Sequence, residues 1–574
     1  MNSIVFLIMR RMRLPLLTLV VVYAISVLGM ILIPGQDADG NPWRMDLFHA
    51  FYFVSYMSTT IGFGEIPHAF TDGQRLWVTF SLYLSVIAWL YAIGTILTLL
   101  QDRMFQKAIT ESMFARRVRR MREPFYLVCG YGETGQALVR SFTRKGRHVV
   151  VLDNNENKIN QIHLQNLPDY VPALAANARR PSILKAAGLP QRCCLAVLAV
   201  TDDNDTNLKI AITSKLLHPS IPVIARADAK DTEANMASFG TDYIIDPFDT
   251  FSQYLGKAMR TPCLYLLSRW LGGEEGTDLE DPLYPPRDGP WLVCGYGRFG
   301  KAVVQRFERE KLKTMVIEAK PEVTGEPPGR SVHGIGTEAD TLIQAGIREA
   351  VGIVAGTDDD TNNLSIVMTA RELRPDIFVI LRQNNNYNGE LIAAVGAEMV
   401  MHPSAIVAEK IRILAVSPML AEFFAMAAYK DNAWGCELVS RFSGMVSGHV
   451  PVIKEISLDH THAPALMEVL AEGESVTLRE LLRDPWDRER LLPCMVLLMY
   501  RDGEKVMVPQ VELTLQAGDR LLLSGARHGI TRFTWNLAHN VALDYVRSGE
   551  SRPQGWLWRS LRQLRRPRTG DEGV

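Results

Sequence analysis

The chain contains 574 residues, a length that predicts several domains rather than one. Its 62 lysines and arginines nearly balance its 63 aspartates and glutamates, so the formal net charge is −1. The basic residues cluster beside apolar segments near the N-terminus and in the C-terminal tail, so nucleic-acid binding is not expected. The seven cysteines include no CxxC pair, and Cys129 and Cys294 each lie in an apolar run before a glycine turn. The cysteines are expected to be core residues of a reduced, cytosolic domain.

Two uncharged segments near the N-terminus are long enough to cross a membrane as helices. Residues 14–34 carry no charge over 21 positions, and residues 76–100 carry none over 25, whereas roughly 20 apolar residues span a bilayer. Arginines precede the first segment, and five more follow the second within residues 116–122, so the positive-inside rule predicts that both termini are cytoplasmic. A signal peptide is not favoured, because the first segment is too long and residues 33–36 offer no small-residue cleavage site.

The stretch between the two spans has the composition of a pore lining. Residues 45–59 are apolar and aromatic but too short to cross the membrane, which predicts a re-entrant helix. The turn that follows contains Gly62 and Gly64, which can adopt backbone angles closed to other residues. Irregular backbone at membrane depth is tolerated only against protein or a water-filled cavity. We therefore expect the carbonyl groups of this turn to replace the hydration shell of a cation.

This turn, T-T-I-G-F-G-E at residues 59–65, resembles the signature of potassium channels. Ile61 and Phe63 stand where valine and tyrosine are usual, and Glu65 stands where aspartate is more common. The resemblance implies that potassium is the permeant ion. It also implies a selectivity filter formed by Thr60, Ile61, Gly62, Phe63 and Gly64.

The second span and the connector behind it are the candidate gating elements. Many relatives with this signature carry a glycine hinge near the position of Ser85, but the only glycine in this span is Gly94. Gly94 is therefore the candidate gate residue, either as a bend or as a close-packing site. Residues 101–123 have a helical period and are expected to join the pore to the following domains.

The soluble part contains two copies of one unit. Residues 125–135 read F-Y-L-V-C-G-Y-G-E-T-G, and residues 290–300 read P-W-L-V-C-G-Y-G-R-F-G. Residues 201–247 then align with residues 357–403. In each copy short apolar runs alternate with helical periods, which predicts βαβ units and a doubly wound parallel sheet.

Each copy contains a G-x-G-x-x-G motif at the turn from a strand to a helix. The first glycine permits the tight bend, the second lets the backbone approach a pyrophosphate, and the third lets the helix pack on the strand. A carboxylate 23 residues after the first glycine can accept hydrogen bonds from ribose hydroxyls and would repel a 2′-phosphate, so NAD, NADH or another adenine nucleotide is favoured over NADP. That a copy keeps the fold and binds nothing stays open. The candidate cofactor-binding residues are Gly130, Gly132, Gly135, Asp153, Gly295, Gly297, Gly300 and Glu318.

The two copies resemble RCK domains, which regulate potassium conductance and are related to the TrkA-type nucleotide-binding subunits of bacterial potassium uptake systems. The resemblance covers about residues 124–525. It implies a homotetramer in which eight domains form a cytoplasmic gating ring. Relatives usually carry Gly-Asp after the third strand, whereas this chain has Ala176-Asn177 and Gly336-Thr337, which weakens the expected contact to adenine.

The predicted fold class is a two-span α-helical membrane module, two tandem Rossmann-like α/β domains and a small C-terminal α+β subdomain. The expected segments are the N-terminus 1–13, pore module 14–100, connector 101–123, first domain 124–288, second domain with its crossover helix 289–430, C-terminal subdomain 431–530 and basic tail 531–574.

Acidic and histidine clusters leave a metal site undecided. Relatives use calcium, and residues 201–207 and 272–275 are acidic, but no loop has calcium-binding spacing. His460 and His462 have no cysteine partner nearby in the sequence, which favours an exposed loop. The basic, aromatic tail from Ser551 either lies on membrane lipid or a neighbouring subunit, or is disordered.

Together these features predict a potassium-selective channel of the inner membrane, not an enzyme, gated by a cytoplasmic nucleotide and, as an open alternative, a divalent cation. One alternative is a membrane-tethered NAD-dependent oxidoreductase, but no substrate domain with a catalytic His or Lys is evident. The other is a nucleotide-binding regulatory subunit of a potassium transporter, against which the filter argues.

Overall fold

The computed structural model describes residues 2–549, which form two compact units. The first unit contains the N-terminal helices up to Arg122 together with the short segments Pro172–Leu174 and Lys185–Gly188. The second contains the other described residues from Glu123 onward. The prediction for the tail from Ser551 lies outside the described residues.

The part of the first unit up to Arg122 consists of helices and one small hairpin. Two of its segments, Met9–Leu32 and Asp72–Gln101, are helical, apolar and long enough to cross a membrane. A short helix lies where the re-entrant helix is predicted, and it begins at the N-cap Asp46, whose side chain accepts a hydrogen bond from the backbone amide of His49. The elements are α1 (Asn2–Leu32), β1 (Gly35–Gln36), β2 (Pro42–Trp43), α2 (Leu47–Ser58), α3 (Asp72–Gln101) and α4 (Arg103–Arg120).

Helices α1 and α3 pack closely because small residues face an indole. A Cβ atom on Gly29 would collide with the ring of Trp77, whose Nε1 donates to the backbone oxygen of Ser26 at 3.1 Å. Arg11 near the start of α1 forms an ion pair of 2.8 Å with Asp102 at the end of α3. The start of α1 and the end of α3 therefore lie at the same end of the helix pair.

The second unit begins with two copies of a six-stranded parallel sheet. The sheet orders are β5-β4-β3-β6-β7-β8 and β11-β10-β9-β12-β13-β14, so in both copies the chain reverses direction across the sheet beside its first strand. This is the strand order of the doubly wound dinucleotide-binding fold. The prediction of Rossmann-like α/β domains is confirmed.

The elements of the first copy are β3 (Phe125–Cys129), α5 (Glu133–Arg144), β4 (His148–Asp153), α6 (Glu156–Leu164), β5 (Ala173–Ala175), α7 (Pro181–Ala186), β6 (Cys194–Ala199), α8 (Asn204–Leu217), β7 (Val223–Arg226), α9 (Lys230–Ser238), β8 (Tyr243–Ile245), α10 (Pro247–Arg260) and α11 (Pro262–Gly272).

The elements of the second copy are β9 (Trp291–Cys294), α12 (Arg298–Arg309), β10 (Thr314–Glu318), α13 (Pro321–Thr324), β11 (Arg330–His333), α14 (Ala339–Gln344), β12 (Gly352–Ala355), α15 (Asp360–Leu373), β13 (Phe378–Arg382), a 3₁₀ turn (Asn386–Asn388), α16 (Gly389–Val395), β14 (Met399–Met401), α17 (Pro403–Val416), α18 (Pro418–Ala427) and α19 (Asn432–Met445).

The C-terminal subdomain has a four-stranded antiparallel sheet in the order β15-β18-β16-β17. Its last two helices bury Phe533, Leu537 and Leu543 in the same core as the sheet residues Val496 and Leu523. The predicted boundary at residue 530 is therefore too early, because these apolar side chains belong to the core. The elements are β15 (Val452–Ser457), α20 (Pro464–Ala471), α21 (Leu478–Leu481), β16 (Cys494–Arg501), β17 (Glu504–Met507), β18 (Arg520–Gly525), α22 (Arg527–Ala538) and α23 (Asn540–Ser548).

One pair of cysteines departs from the expectation of reduced core residues. Cys263 at the start of α11 and Cys436 on α19 are joined by a disulfide across 173 positions of sequence. Gly435 permits this approach, because a Cβ atom there would collide with Leu264, the residue that follows Cys263. Cys129 and Cys294 are buried and outside the disulfide, as expected from their strands.

Candidate functional sites

The turn after α2 has alternating backbone handedness. Thr60, Gly62 and Gly64 have positive φ angles of 60°, 66° and 75°, whereas Ile61 and Phe63 between them do not. The turn is exposed and has no helix or strand. Alternation of left-handed and right-handed residues turns successive carbonyl groups toward one side of the chain, which is the arrangement that a row of cation-binding oxygens needs.

The end of helix α2 holds this turn in place. The backbone oxygen of Tyr56 accepts hydrogen bonds from the amides of Ile61 at 3.0 Å and Gly62 at 3.3 Å. The hydroxyl of Tyr56 donates to the backbone oxygen of Glu65 at 2.8 Å, and the hydroxyl of Tyr52 donates to the Glu65 carboxylate at 3.0 Å. The two tyrosines thus fix both ends of the turn, a role that the sequence pattern did not indicate.

The hinge region of α3 is packed rather than open. Ser85, near which the resemblance to potassium channels implies a hinge glycine, is buried, and its hydroxyl accepts from the hydroxyl of Ser58 on α2 at 3.2 Å. Helix α3 continues through Gly94 without a break. No described atom lies within 4 Å of the position of a Cβ at Gly94, so this glycine is not a close-packing site within one chain.

The first and third glycines of each nucleotide motif are required by the fold itself. Gly130 and Gly295 have φ angles of 109° and 93°. A Cβ on Gly135 would collide with the backbone oxygen of Gly130, and one on Gly300 would collide with that of Gly295. Glycine at these four positions therefore permits the bend and the close contact of helix with strand. These structural requirements explain the four glycines without a ligand.

The second glycine of each motif has no such structural reason. Gly132 and Gly297 are N-cap residues of α5 and α12 with ordinary φ angles of −75° and −67°. A Cβ at Gly297 would meet nothing within 4 Å, and one at Gly132 would make only ordinary contacts, at 3.7 Å or more, with Asp202 and Lys158. Space is therefore left free at the N-terminus of each helix, where backbone amides and the helix dipole favour an anion.

The carboxylates that follow the second strands contact the glycine loops directly. Asp153 accepts hydrogen bonds from the amides of Tyr131 at 2.6 Å and Asn155 at 2.8 Å. Glu318 does the same with the amides of Tyr296 at 2.6 Å and Lys320 at 2.7 Å. Both side chains are buried, and a carboxylate has roughly four acceptor positions, so each retains capacity for a ribose hydroxyl. The equal spacing of 23 residues in both copies is also what this backbone contact requires.

The acidic segments after the fourth strands are hydrogen-bonded turns. Asn207 accepts from the amide of Thr201 and donates to the backbone oxygens of Thr201 and Arg226, at 2.9 to 3.0 Å. Asn363 makes the same bonds in the second copy, to Thr357 and Arg382. Within residues 2–549 no group of three histidine, cysteine, aspartate or glutamate side chains could hold a metal ion.

The glycine loop of each copy contacts the other copy. Glu133, directly after Gly132, accepts a hydrogen bond from the amide of Asn386 at 2.8 Å, and its carboxylate lies 3.5 Å from His402 Nε2. Arg298, directly after Gly297, forms an ion pair of 2.8 Å with Asp228. These cross-contacts depend on how the copies pack, so the motif alone could not show them.

Two domain models match the chain in the regions just described. The ion channel model matches residues 16–102, and the TrkA-N domain model matches residues 126–247 and 291–403. The chain is an ion-channel domain joined to two TrkA-N domains. The predicted repeat is therefore confirmed.

Relatives of this channel-type chain include proteins from archaea and bacteria. Potassium channel protein 1 of Methanocaldococcus jannaschii is 24% identical over 204 residues, which are 35% of this chain and 59% of that protein. Voltage-gated potassium channel Kch of Escherichia coli is 25% identical over 237 residues, which are 41% of this chain and 52% of that protein. The chain is thus homologous to prokaryotic potassium channels, as the resemblance predicted, and spans somewhat more than half of their lengths.

A solved structure entitled GsuK channel bound to NAD aligns with 93% of this chain and 100% of its own, at 17% sequence identity and a TM-score of 0.46.

Proposed function

We propose that the protein is a potassium-selective channel of the cell inner membrane, opened and closed by a nucleotide that binds its cytoplasmic domains. The observation that carries the channel proposal is the alternating handedness of Thr60, Gly62 and Gly64 in a turn between two apolar helices. Carbonyl oxygens turned to one side can replace the water around a potassium ion. The matched ion channel domain and the homology to potassium channels support the same function.

The pore requires several copies of the chain. One chain supplies one filter turn, and a single strand of carbonyl groups cannot surround an ion. Large apolar side chains of α1 and α3, such as Leu14, Leu76 and Ile87, are exposed in the single chain and are available to lipid and to other copies. We infer a homotetramer, in which eight TrkA-N domains form a cytoplasmic gating ring.

Both ends of the membrane module are proposed to face the cytoplasm. The ion pair between Arg11 and Asp102 supports this orientation, since it brings the start of α1 and the end of α3 to the same end of the helix pair. The arginines beside these positions favour the cytoplasmic side.

The proposed ligand is NAD, NADH or another adenine nucleotide. The open space at Gly132 and Gly297 supports this ligand. The fold would tolerate a Cβ atom at either position, so a bound phosphate is a reason for glycine there. Gly130, Gly132, Gly135 and Asp153 would hold it in the first copy, and Gly295, Gly297, Gly300 and Glu318 in the second. A bound nucleotide supplies anionic phosphates and ribose hydroxyls to these groups.

Ligand binding can bias the gate only through a difference in affinity between the closed and open states. The contacts of Glu133 and Arg298 support such a difference in affinity. Each glycine loop that would bind a nucleotide also contacts the other copy, so binding and the packing of the copies are linked. The tethered oxidoreductase is not favoured, since the relatives named above are potassium channels. The transporter subunit is not favoured, since the chain contains its own ion channel domain.

A flux assay tests this function. Full-length protein in liposomes should conduct potassium in preference to sodium, and NAD, NADH or ATP added to the cytoplasmic face should change the rate. Mass spectrometry of nucleotides that co-elute with the purified protein would identify the ligand. Absence of potassium flux under every nucleotide condition would contradict the proposal.

A further inference from the structure

A cavity of about 390 Å³ lies within the second unit between α10 and α17, the crossover helices that follow the last strand of each copy's parallel sheet. Its volume is in the range of small-molecule sites, which span roughly 300 to 1,000 Å³. Helices of both copies and the edge strand β8 form its walls. The lining includes Ile245, Tyr254, Lys257, Lys410, Ile413 and Phe424.

The acidic side chains of this cavity already have cationic partners. Glu409 forms an ion pair of 2.8 Å with Arg269, and Glu422 pairs with Lys505. Neither Lys257 nor Lys410 forms an ion pair with any residue that the structure describes. The walls therefore present two lysines that have no ion-pair partner among the described residues.

Burial makes the charged form of these lysines unfavourable unless an anion lies nearby. Burial lowers the pKa of Lys257, and the charge of Lys410 lowers it further. Burial also lowers the pKa of Lys410, although the nearby Glu409 carboxylate raises it. Tyr254 lines the same cavity, and its hydroxyl has no hydrogen-bond partner among the described side chains and backbone. Three donors that lack partners thus surround one space.

We infer that this cavity binds a small organic anion with an apolar body and a carboxylate or phosphate group, held by Lys257, Lys410 and Tyr254. A charged hydrogen bond to an anion offsets the cost of burying an ammonium group. The side chains of Ile245, Ile413 and Phe424 form apolar walls, which favour a ligand with an apolar body. A bare inorganic ion fits less well, because these walls would contact only the water around the ion.

The two lysines do not occupy equivalent positions in the two copies. Tyr254 and Lys410 each lie seven residues after the proline that begins their helix, and Lys257 and Ile413 each lie ten residues after it. The lysines therefore come from non-equivalent positions. One belongs to each copy, so an anion held by both would fix α10 relative to α17.

A second cavity extends the first along α11 and α18. It has a volume of about 350 Å³ and shares Lys257, Ser268 and Phe424 with the first cavity. The combined space accommodates an aromatic or short aliphatic body beyond the anionic group.

The test uses 1-naphthoate as an anionic probe and 1-naphthalenemethanol as its neutral counterpart. Binding to the full-length protein in nanodiscs, without nucleotide, is measured by saturation-transfer difference NMR. Naphthoate should bind, and the alcohol should bind at least about tenfold more weakly, since charged hydrogen bonds distinguish them. Lys257→Gln and Lys410→Gln should each weaken naphthoate binding about tenfold or more.

The matched control is Lys313→Gln, at an exposed lysine remote in sequence from both crossover helices, and it should leave naphthoate binding unchanged. Nucleotide binding should persist in all three variants, because none touches a glycine loop. Equal binding of the acid and the alcohol, no binding of naphthoate, or unchanged naphthoate binding in both cavity variants would overturn the inference. None of these results bears on whether the pore conducts potassium.

Discussion

Arg298 and Asp228 form an ion pair of 2.8 Å that joins the second glycine loop to the first copy. The side chain of Asp228 is 9% exposed, and the same guanidinium lies 5.5 Å from the ring centre of Phe248, also in the first copy. Glu133 at the equivalent loop position carries the opposite charge and contacts the second copy. The residue after the second glycine therefore links the copies in both directions.

Removal of this ion pair should loosen the contact between the copies. Arg298→Ala and Asp228→Ala are each expected to lower the midpoint of thermal unfolding, and the double variant should be less destabilised than the sum of the two, with a coupling energy of about 1 kcal/mol. Arg179 and Asp203 form an exposed pair of 3.8 Å within one copy and serve as the control cycle, which should show almost no coupling. Additive effects at Arg298 and Asp228 would contradict the proposed link.

The glycines of each motif should separate into two classes. Gly132→Ala and Gly297→Ala should fold normally but lose affinity for NAD and NADH by about tenfold or more, because a methyl group occupies space meant for phosphate. Gly135→Ala and Gly300→Ala should destabilise the fold by several kcal/mol, because their Cβ atoms collide with backbone. Thermal unfolding and nucleotide titration distinguish the classes. Unaltered affinity in the first pair would show that the open space is not a phosphate site.

The doubly wound parallel sheets and the glycine loops could be predicted from sequence, because alternating strand and helix periods and the spacing of the glycines are local patterns. Gly135 packs against the backbone of Gly130, five residues earlier, and the repeat shows the same pattern twice. The double role of Asp153 could not be predicted, since its contact with the amide of Tyr131 depends on the exact ends of two strands. The partners of Glu133 and Arg298 depend on the packing of one copy on the other, which no local pattern encodes.

The environment of His402 predicts a dependence of stability on pH. Burial lowers the pKa of this side chain, although the nearby carboxylates of Glu133 and Asp360 raise it. Its Nδ1 accepts a hydrogen bond from the amide of Ala405, which requires an unprotonated nitrogen. A histidine with a lowered pKa contributes stability that is present above its unfolded value of about 6.5 and is lost as the pH falls below it toward the folded value.

We expect the unfolding temperature to fall between about pH 7 and pH 5.5, and His402→Asn to reduce this fall, since asparagine caps a helix without titrating. His462→Asn, at an exposed histidine paired with Asp459, is the control and should leave the pH profile unchanged. An identical profile for His402→Asn and the parent would exclude this source of pH dependence.

The disulfide between Cys263 and Cys436 predicts the number of reactive thiols. Alkylation of unfolded protein without reductant should modify five of the seven cysteines, and all seven after reduction. Cys263→Ser should destabilise the unreduced protein by about 2 to 4 kcal/mol, because the bond closes a long loop. Cys193→Ser, at a cysteine outside the bonded pair, should leave that stability unchanged. Seven modified cysteines before reduction would contradict the bond.

The sequence favoured reduced cysteines because no CxxC pair is present, and the pairing of Cys263 with Cys436 could not be inferred across 173 positions. The acidic segment near Asn207 suggested a metal site for a related reason. The sequence shows that this segment is acidic. It does not show the hydrogen bonds from Asn207 to Thr201 and Arg226, because these depend on two strands that end side by side.

The most direct test of the channel proposal compares Gly64→Ala with Gly40→Ala in liposomes. The two glycines have similar φ angles of 75° and 81°, and neither Cβ position has a neighbour within 4 Å, so alanine should strain both by about 1 to 2 kcal/mol. Only Gly64 lies in the proposed filter. We predict that Gly64→Ala abolishes potassium flux or its preference over sodium, while Gly40→Ala retains both. Unchanged potassium selectivity in Gly64→Ala would contradict the account.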